Sequence, residues 1–258
     1  MELNLKGKNA IVTGASRGLG EGIARVLARE GVNVLLNYAH EGSREKADGI
    51  VSALVSSSGI RAGSFRADVS KEEEVPPIFD EAEKVLGGAV TILINNAGIC
   101  PHVNIVDSDF KSWKDCMATN VDSMFLMCRE FLRRNIPRAC GGRIINIASQ
   151  AAFNGSKNGK THYSASKGAV VSFGISLAKE AAKYNIFVNT VCPGMLLTEL
   201  TAVTLTDEEA VKKYNQNLLL GRLEEVAEVG EMVAFLASDA ASYSTGAVFD
   251  VTGGMMSR

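Results

Sequence analysis

The sequence is short of the residues that cross-link, chelate or anchor a chain. Among its 258 residues are one tryptophan, five prolines, three histidines and five cysteines. The cysteines, Cys100, Cys116, Cys128, Cys140 and Cys192, are odd in number, lie far apart and form no CxxC pair. They therefore signal neither a disulfide framework nor a zinc site, and are expected to be buried small hydrophobes. His40, His102 and His162 are widely separated and no His/Asp/Glu cluster has metal-ligand spacing, so no catalytic metal is expected. No apolar run approaches the roughly 20 residues that span a bilayer. Met1 to Asn9 also lacks the charged start and apolar stretch of a leader peptide, so the expectation is a cytoplasmic protein with no membrane partner. With 27 Lys and Arg scattered among 29 Asp and Glu, the net charge is -2. There is no basic excess or stripe for nucleic acid.

What the chain does have is the composition of a globular protein, 46% hydrophobic and 22% charged, and a regular alternation of strand-like and helix-like stretches. Strands are predicted at Asn9–Thr13, Val32–Asn37, Gly63–Ala67, Thr91–Asn95, Arg143–Ala148, Phe187–Val191 and Val248–Val251. Helical spacing covers Gly20–Glu30, Ser43–Ser58, Glu72–Leu86, Trp113–Asn135, Tyr163–Tyr184 and Glu224–Ser238. The apolar, uncharged run Val90 to Gly98 suits a central parallel strand covered on both faces. The pattern predicts an α/β fold, a single Rossmann-like doubly wound parallel sheet of about seven strands with helices on both faces. No linker or repeat divides it, so residues 1–258 read as one catalytic domain. The least regular stretch, Pro193 to Leu220, has apolar Met195, Leu196, Leu197 and Leu200 ahead of a polar helix candidate from Thr206, and suits a substrate lid.

Directly after the first strand comes Thr13-Gly14-Ala15-Ser16-Arg17-Gly18-Leu19-Gly20, leading into a helix. Glycines permit a tight turn and let a pyrophosphate approach the amides at the helix start, where unpaired N–H donors and the dipole favour an anion. A bare turn needs one special glycine; this one has three. The spacing Gly-x3-Gly-x-Gly resembles that of the short-chain dehydrogenase/reductase family, and motifs in the same order extend the resemblance over nearly the whole chain. The resemblance implies adenine contacts at Asp68 and Val69, a sheet-and-cofactor motif at Asn95, Asn96, Ala97 and Gly98, and nicotinamide-amide contacts at Pro193, Gly194 and Thr198.

An NAD-specific site usually carries an acidic residue near the end of the second strand, where it accepts from the ribose and repels a 2′-phosphate. Here that end reads Leu36-Asn37-Tyr38-Ala39, with Arg17 in the glycine loop and His40 and Arg44 beyond the strand. Arginine forks onto phosphate, which points to NADP(H). Glu41 is the dissenting residue, with Arg44 pairing to it on a solvated face as the alternative.

Tyr163 and Lys167 are four apart on a predicted helix and leave the same face. A neighbouring ammonium is expected to lower the phenol's pKa and tune it as an acid. Ser149, at the carboxyl end of a strand, is placed to hold a carbonyl oxygen. By resemblance Asn120 joins Ser149, Tyr163 and Lys167 in a catalytic tetrad, and Lys167 also holds the nicotinamide ribose. The implied reaction moves a hydride between nicotinamide C4 and a carbonyl carbon, with Tyr163 as acid or base. His162 reads as a pocket wall and no more.

Within the family the chain is most similar to the β-ketoacyl-[acyl-carrier-protein] reductase-like branch, through Thr13–Gly20, Asn37-Tyr38-Ala39 and Phe235-Leu236-Ala237-Ser238-Asp239. That resemblance places carrier-docking basic positions at Arg133 and Lys179. Two loops depart from it: Asn154 to Lys160 and Pro137 to Gly142 look extended, and both border the substrate side. Reduction of a sugar, steroid or other small ketone therefore stands as the alternative. A noncatalytic NADPH-binding regulator and a methyltransferase are the readings from other classes, opposed by the tetrad and by the Tyr163–Lys167 spacing. The resemblance further implies a homotetramer that pairs the two long helices, Trp113–Asn135 and Tyr163–Tyr184.

Overall fold

The computed structural model describes residues 2–156, 159–199, 201–202 and 205–255. Seven parallel strands, β1 (Asn9–Val12), β2 (Asn33–Tyr38), β3 (Ala62–Arg66), β4 (Ile92–Asn95), β5 (Gly142–Ile147), β6 (Ile186–Pro193) and β7 (Val248–Val251), form one sheet in the order β3-β2-β1-β4-β5-β6-β7. The helices are α1 (Gly18–Arg29), α2 (Arg44–Ser58), α3 (Val75–Leu86), α4 (Phe110–Met117), α5 (Ser123–Arg138), α6 (Ala151–Asn154), α7 (Thr161–Ala181), α8 (Glu208–Asn215) and α9 (Val226–Ala237). This is the doubly wound fold expected. The chain runs outward from β1 in one direction through β2 and β3, and from β4 in the other. The crevice between the carboxyl ends of β1 and β4 is therefore the switch point at which such sheets bind ligands.

Alternate residues of each central strand enter two separate cores. Ala10 and Val12, Val34 and Leu36, Ile92 and Ile94, and Ile145 and Ile147 pack with residues of α1, α2 and α9. Ile11, Leu35, Leu93 and Ile144 pack with α3, α5 and α7 on the other face. Both faces are dry, so the strands read as continuous apolar runs instead of alternating ones. At carbon-transfer values of about 25 cal/mol per Å2, each buried Leu, Ile or Val contributes on the order of 2 kcal/mol, and two such layers hold the strand ends in fixed register.

Three expectations are corrected. The stretch Trp113–Asn135 is not one helix: α4 and α5 are joined by a π turn at Ala118–Asp122, which inserts one residue and turns Asn120 inward. Helix α5 then continues past Asn135, carries Pro137 in its last turn, and ends at Ala139 with φ 51°. The cysteines are not uniformly buried: Cys116, Cys128 and Cys192 are, but Cys100 is half-buried and Cys140 is exposed in the loop after α5. Finally, Glu72–Glu74 is a 3-10 turn ahead of α3, because Pro76 and Pro77 suit a helix's first turn, where their missing N–H groups cost nothing. Other element ends lie within three residues of those predicted.

Helices α1 and α9 cross where Gly22 meets Val226 and Gly230 meets Val26. A Cβ at Gly230 would stand 2.6 Å from Val26 Cγ2, and one at Gly22 would overlap Val226 Cγ1. Valine has one strongly preferred rotamer in a helix, so it cannot swing aside cheaply. Gly22→Ala is expected to destabilise the protein by about 1–3 kcal/mol despite the better helix propensity of alanine. Thermal unfolding should show a fall of about 2–4 °C per kcal/mol, and Val226→Ala in the same chain should recover most of it.

Candidate active site

The phosphate end of the crevice is built by β1 and β4 together. Thr13 Oγ1 donates to the Ile94 carbonyl at 3.3 Å and accepts from the amides of Asn96 and Ala97, each at 3.0 Å. Asn96 Nδ2 returns the tie, donating to the carbonyls of Thr13 at 2.9 Å and Gly14 at 3.2 Å. The glycines then leave the space a ligand needs. Gly14 and Gly18 have φ of 63° and 56°. A Cβ on Gly14 would lie 2.9 Å from Ala97 Cα, and one on Gly20 would lie 2.6 Å from Asn96 Nδ2 and closer still to the Gly14 carbonyl. No side chain caps the start of α1. Its first amides and positive dipole end therefore serve an anion in the cleft. These features fit a dinucleotide pyrophosphate.

The cleft, about 290 Å3 in volume, runs from this loop in both directions. Towards β2 and β3 it is lined by Ser16, Arg17, Leu19, Asn37, Tyr38, Ala39, Asp68 and Val69, with His40 and Ser43. Several of these spend their side chains on the protein itself. Asn37 Nδ2 donates to the Ala67 carbonyl at 2.9 Å, bracing β2 against β3. Tyr38 and Val69 are buried. Asp68 Oδ1 accepts from the amide and hydroxyl of Ser70, at 3.0 and 2.7 Å. Arg17 is paired at 2.5 Å with Glu199 of the lid segment, which also stands 3.5 Å from Lys46. Arg44 pairs with Glu41, as the alternative reading had it, and Arg66 joins at 3.2 Å.

Towards β5 and β6 the lining is Asn96, Ala97, Gly98, Ser149, Tyr163, Lys167, Pro193, Gly194 and Thr198. Ser149 Oγ accepts from the Ala151 amide at 3.2 Å and lies near enough to the Tyr163 phenol to pull its pKa down. Lys167 Nζ donates to the Ile147 carbonyl at 2.8 Å and stands 5.8 Å from the centre of the Tyr163 ring. Asn120 is buried behind this group and does not line the cleft. Its Oδ1 accepts from the Ile99 amide at 2.8 Å, and its Nδ2 donates to the Ile99 carbonyl and to Ser166 Oγ, both at 2.9 Å. Ser166 in turn donates to the Tyr163 carbonyl at 2.7 Å. A Cβ on Gly98 would be 3.2 Å from Asn120 Oδ1 and 3.5 Å from Lys167 Nζ, so the bare glycine gives both polar groups their room.

The electrostatics differ from the tuning expected. Burial pushes the Tyr163 phenol well above its usual range, with Ser149 pulling against it. Burial also brings Lys167 down to about 8, with only the neighbouring Cys116, Cys192 and Cys100 acting the other way. In the cofactor-free protein, desolvation thus dominates both groups. His162 does not line the cleft: it is buried in the first turn of α7, and both ring nitrogens lack a partner among the described residues.

Residues that spacing did not single out also shape the site. Thr13 and Ser166 adjoin motif residues but act through bonds to distant segments, and Ile99 and Ile147 enter through their backbone groups. Gln150, next to Ser149, donates to the Tyr214 hydroxyl at 2.8 Å and so ties α8 to the carboxyl edge of β5. Leu196 and Thr201 line the cleft from the lid side, while Leu200 falls outside the described residues, as do Lys157 and Asn158 in the loop before α7. Among the described residues no group of three or more His, Cys, Asp or Glu is placed to hold a metal, and no helix is long and apolar enough to cross a membrane.

Residues 14–256 match the family model described as enoyl-(acyl carrier protein) reductase. The 3-oxoacyl-[acyl-carrier-protein] reductase FabG of Aquifex aeolicus is 36% identical over 255 residues, covering 99% of this chain and all of that one. Among solved structures, a short-chain type dehydrogenase/reductase from Mycobacterium marinum superposes with a TM-score of 0.92 at 30% identity, covering 100% of this chain and 98% of its own. A gluconate 5-dehydrogenase from Burkholderia cenocepacia, in complex with NADP and tartrate, superposes with a TM-score of 0.90 at 30% identity, covering 98% and 97%.

The Thr13 hydroxyl carries three bonds that a valine of the same shape cannot make. Thr13→Val leaves two buried amides unpaired, at about 1–3 kcal/mol each if neither finds water. Binding of a nicotinamide dinucleotide, followed by fluorescence titration, should weaken by about tenfold or more, with a smaller loss in unfolding temperature.

Proposed function

The chain belongs to the short-chain dehydrogenase/reductase family, and on that premise we propose that it is an NADPH-dependent ketoreductase whose acid and base is Tyr163. The observation that carries the reading is the convergence of Ser149, Tyr163 and Lys167 on one wall of a cleft whose other end is a glycine-walled anion cradle. The whole of 1–258 serves as one catalytic domain, with 193–220 as its lid.

The bound nicotinamide supplies the hydride, or accepts it in reverse. Gly14, Ser16, Gly18, Leu19 and Gly20 hold its pyrophosphate; Arg17 meets the 2′-phosphate, with Asn37, Tyr38 and Ala39 shaping the ribose pocket. Asp68 and Val69 flank the adenine, Asn96, Ala97 and Gly98 support the inner ribose, and Pro193, Gly194 and Thr198 meet the carboxamide. Arg17, paired with Glu199 here, would hold the 2′-phosphate in its place, exchanging one carboxylate for a ligand of higher charge. On the reacting side, Ser149 donates to the substrate oxygen and Tyr163 passes its proton to that oxygen as it gains negative charge. Lys167 carries a positive charge below about pH 8, which stabilises the phenolate left behind. Asn120, bonded to both polar groups of Ile99 and to Ser166, holds the start of α7 and hence Tyr163 in place.

For the substrate we propose a 3-oxoacyl thioester carried on acyl-carrier protein, supported by a relative that matches end to end. Arg133 on α5 and Lys179 on α7 are exposed and would meet the acidic carrier. The gluconate 5-dehydrogenase neighbour favours a second reading, reduction of a keto sugar acid or other small ketone, which the Gln150–Tyr214 pair beside Ser149 would suit through its hydrogen-bonding groups. We further propose a cytoplasmic homotetramer formed through α5 and α7, where Phe125 and Phe173 stack edge to face at 6.4 Å. Light scattering checks the assembly, a tetramer being expected.

Tyr163→Phe should keep the fold and the affinity for NADPH but lose at least about a thousandfold in turnover, a common cost of removing a general acid. Following NADPH absorbance against acetoacetyl thioesters, ketosugars and steroid ketones identifies the substrate, with this variant as control. Arg17→Ala should raise the KM for NADPH by about tenfold and leave that for NADH nearly unchanged. Reduction needs the protonated phenol and oxidation the phenolate. With the phenol held well above its usual range and Lys167 titrating near 8, the reduction rate at saturating cofactor should hold to about pH 7 and fall as Lys167 loses its charge above that, while the oxidation rate, which needs the phenolate, should rise with pH.

A further inference from the structure

Glu224 lies in the turn before α9, one bond behind the wall formed by Pro193 and Gly194. The Gly194 amide is held twice: it donates to the Val251 carbonyl at 2.7 Å and to Glu224 Oε2 at 2.9 Å. The two segments also pair through a lone bridge between Leu196 and Glu224, and the Glu224 amide donates to the Met195 carbonyl at 3.4 Å. The turn is confined as well as bonded, since a Cβ on Gly194 would lie 3.1 Å from Thr252 Cα and 3.6 Å from Glu224 Oε2.

The environment of this carboxyl is not that of an ordinary surface glutamate. Its second oxygen, Oε1, is buried and has no partner among the described residues. A cavity of about 80 Å3 lies beside it, lined by Arg222, Glu228, Thr252 and Leu218 among others. The nearest cation, Arg222, is committed to Glu228 through two bonds of 2.5 and 2.9 Å. Tyr214 of α8 is the other titratable group that feels its charge. Burial therefore dominates and pushes Glu224 up to about 8, with the Gly194 bond pulling down, Glu228 adding to the rise and Arg222 opposing it. At neutral pH the group is mostly the uncharged acid, and a buried cavity of this size has room for a water to meet its proton.

We propose that Glu224 is a positioning residue for the nicotinamide end of the cofactor, clamping the Gly194 amide from behind so that the Pro193 to Leu196 backbone keeps the shape the carboxamide meets. The inference rests on reading the cleft as an NADP(H) site. Its chemical consequence concerns charge. When Glu224 ionises, a negative charge appears close behind the nicotinamide wall, and the oxidised ring is cationic whereas the reduced ring is neutral. Rising pH therefore tilts the site from NADPH towards NADP+.

The test measures the affinities of NADPH, NADP+ and 2′,5′-ADP, which lacks the nicotinamide, for the wild-type enzyme, E224Q and E224A between about pH 6.5 and 9.5. E224Q is expected to match the wild type at pH 7 within about twofold while its NADPH to NADP+ affinity ratio falls severalfold less with pH than that of the wild type, the fall left in E224Q being that of Lys167, which also loses its charge near pH 8. E224A is expected to weaken NADPH binding and raise its KM by about tenfold, with 2′,5′-ADP affinity unchanged. A folded acid with a raised pKa binds more protons than the unfolded chain from about pH 4.5 to 8. Cofactor-free wild type should thus lose stability relative to E224Q as pH rises through that window. Equal loss of 2′,5′-ADP affinity in E224A would make the role general support of the fold and overturn the proposal, as would variants indistinguishable from wild type at every pH. Wild type that binds 2′,5′-ADP and NADPH, with Tyr163→Phe inactive and both Glu224 variants normal, would sink this inference alone; wild type that binds neither would overturn the cofactor reading with it.

Discussion

The cleft depends on β1 and β4 lying side by side while the chain leaves them in opposite directions. No loop has to cover the gap between their ends, so the gap persists as a crevice. Leaving a crevice at the top of two dry cores exposes backbone amides that would otherwise be costly to strand. The Thr13 hydroxyl answers this by serving one carbonyl and two amides across the gap, and Asn96 closes the circuit to Thr13 and Gly14. With the protein's own polar groups satisfied there, the donors left for a ligand are those at the start of α1. A side chain on Gly14 or Gly20 would strike this bracket directly. The glycine loop is thus demanded from two sides, by the backbone it presses against and by the anion it is shaped to admit.

The catalytic wall is held by a second buried polar circuit that begins at the π turn. One extra residue in the helix turns Asn120 inwards, and its amide then joins the Ile99 backbone after β4 to Ser166 in α7. Helix α7 carries Tyr163 and Lys167 against β5, where Lys167 reaches the Ile147 carbonyl. Burying an ammonium with one carbonyl and no carboxylate is unfavourable, and its lowered pKa records that cost. The circuit keeps the cost localised: the surrounding strands and helices are fixed by their apolar faces, so the lysine cannot relax towards solvent without breaking the packing of α7. A charge held this way is available to a ligand that offers hydroxyl acceptors, and binding such a ligand relieves an existing strain in solvation.

Much of this was legible in the sequence for identifiable reasons. Parallel strands covered on both faces leave continuous apolar runs, and the crossings between them leave helical spacing, so order and number of strands could be read directly. The Tyr163–Lys167 pair is visible because four residues bring side chains to one helix face. Features that depend on contacts between distant segments were not visible. The π turn hides because inserting one residue shifts the helical phase without removing helical spacing, and Trp113–Asn135 reads as continuous. Cys140 looks like any other cysteine until a left-handed Ala139 turns the chain into solvent. Glu224 reads as the start of a helix, whereas the helix begins at Val226 behind a capping box of Glu225 and Glu228, and Glu224 is left pointing at an amide 30 residues away.

The same limit explains the phenol. A Tyr and a Lys on one face suggest mutual stabilisation, and in water that would hold. In the folded protein both lie where water is scarce, and desolvation of the charged form is the largest influence on each. The cofactor-free pair therefore rests as neutral phenol and weakly held ammonium, the state suited to donating a proton to a carbonyl. Reaching the phenolate needs further positive charge nearby, and the oxidised nicotinamide ring is the one cation that the proposed reaction itself brings. Reduction starts from the protonation state the apo site already favours, while oxidation starts only once its own cofactor has arrived.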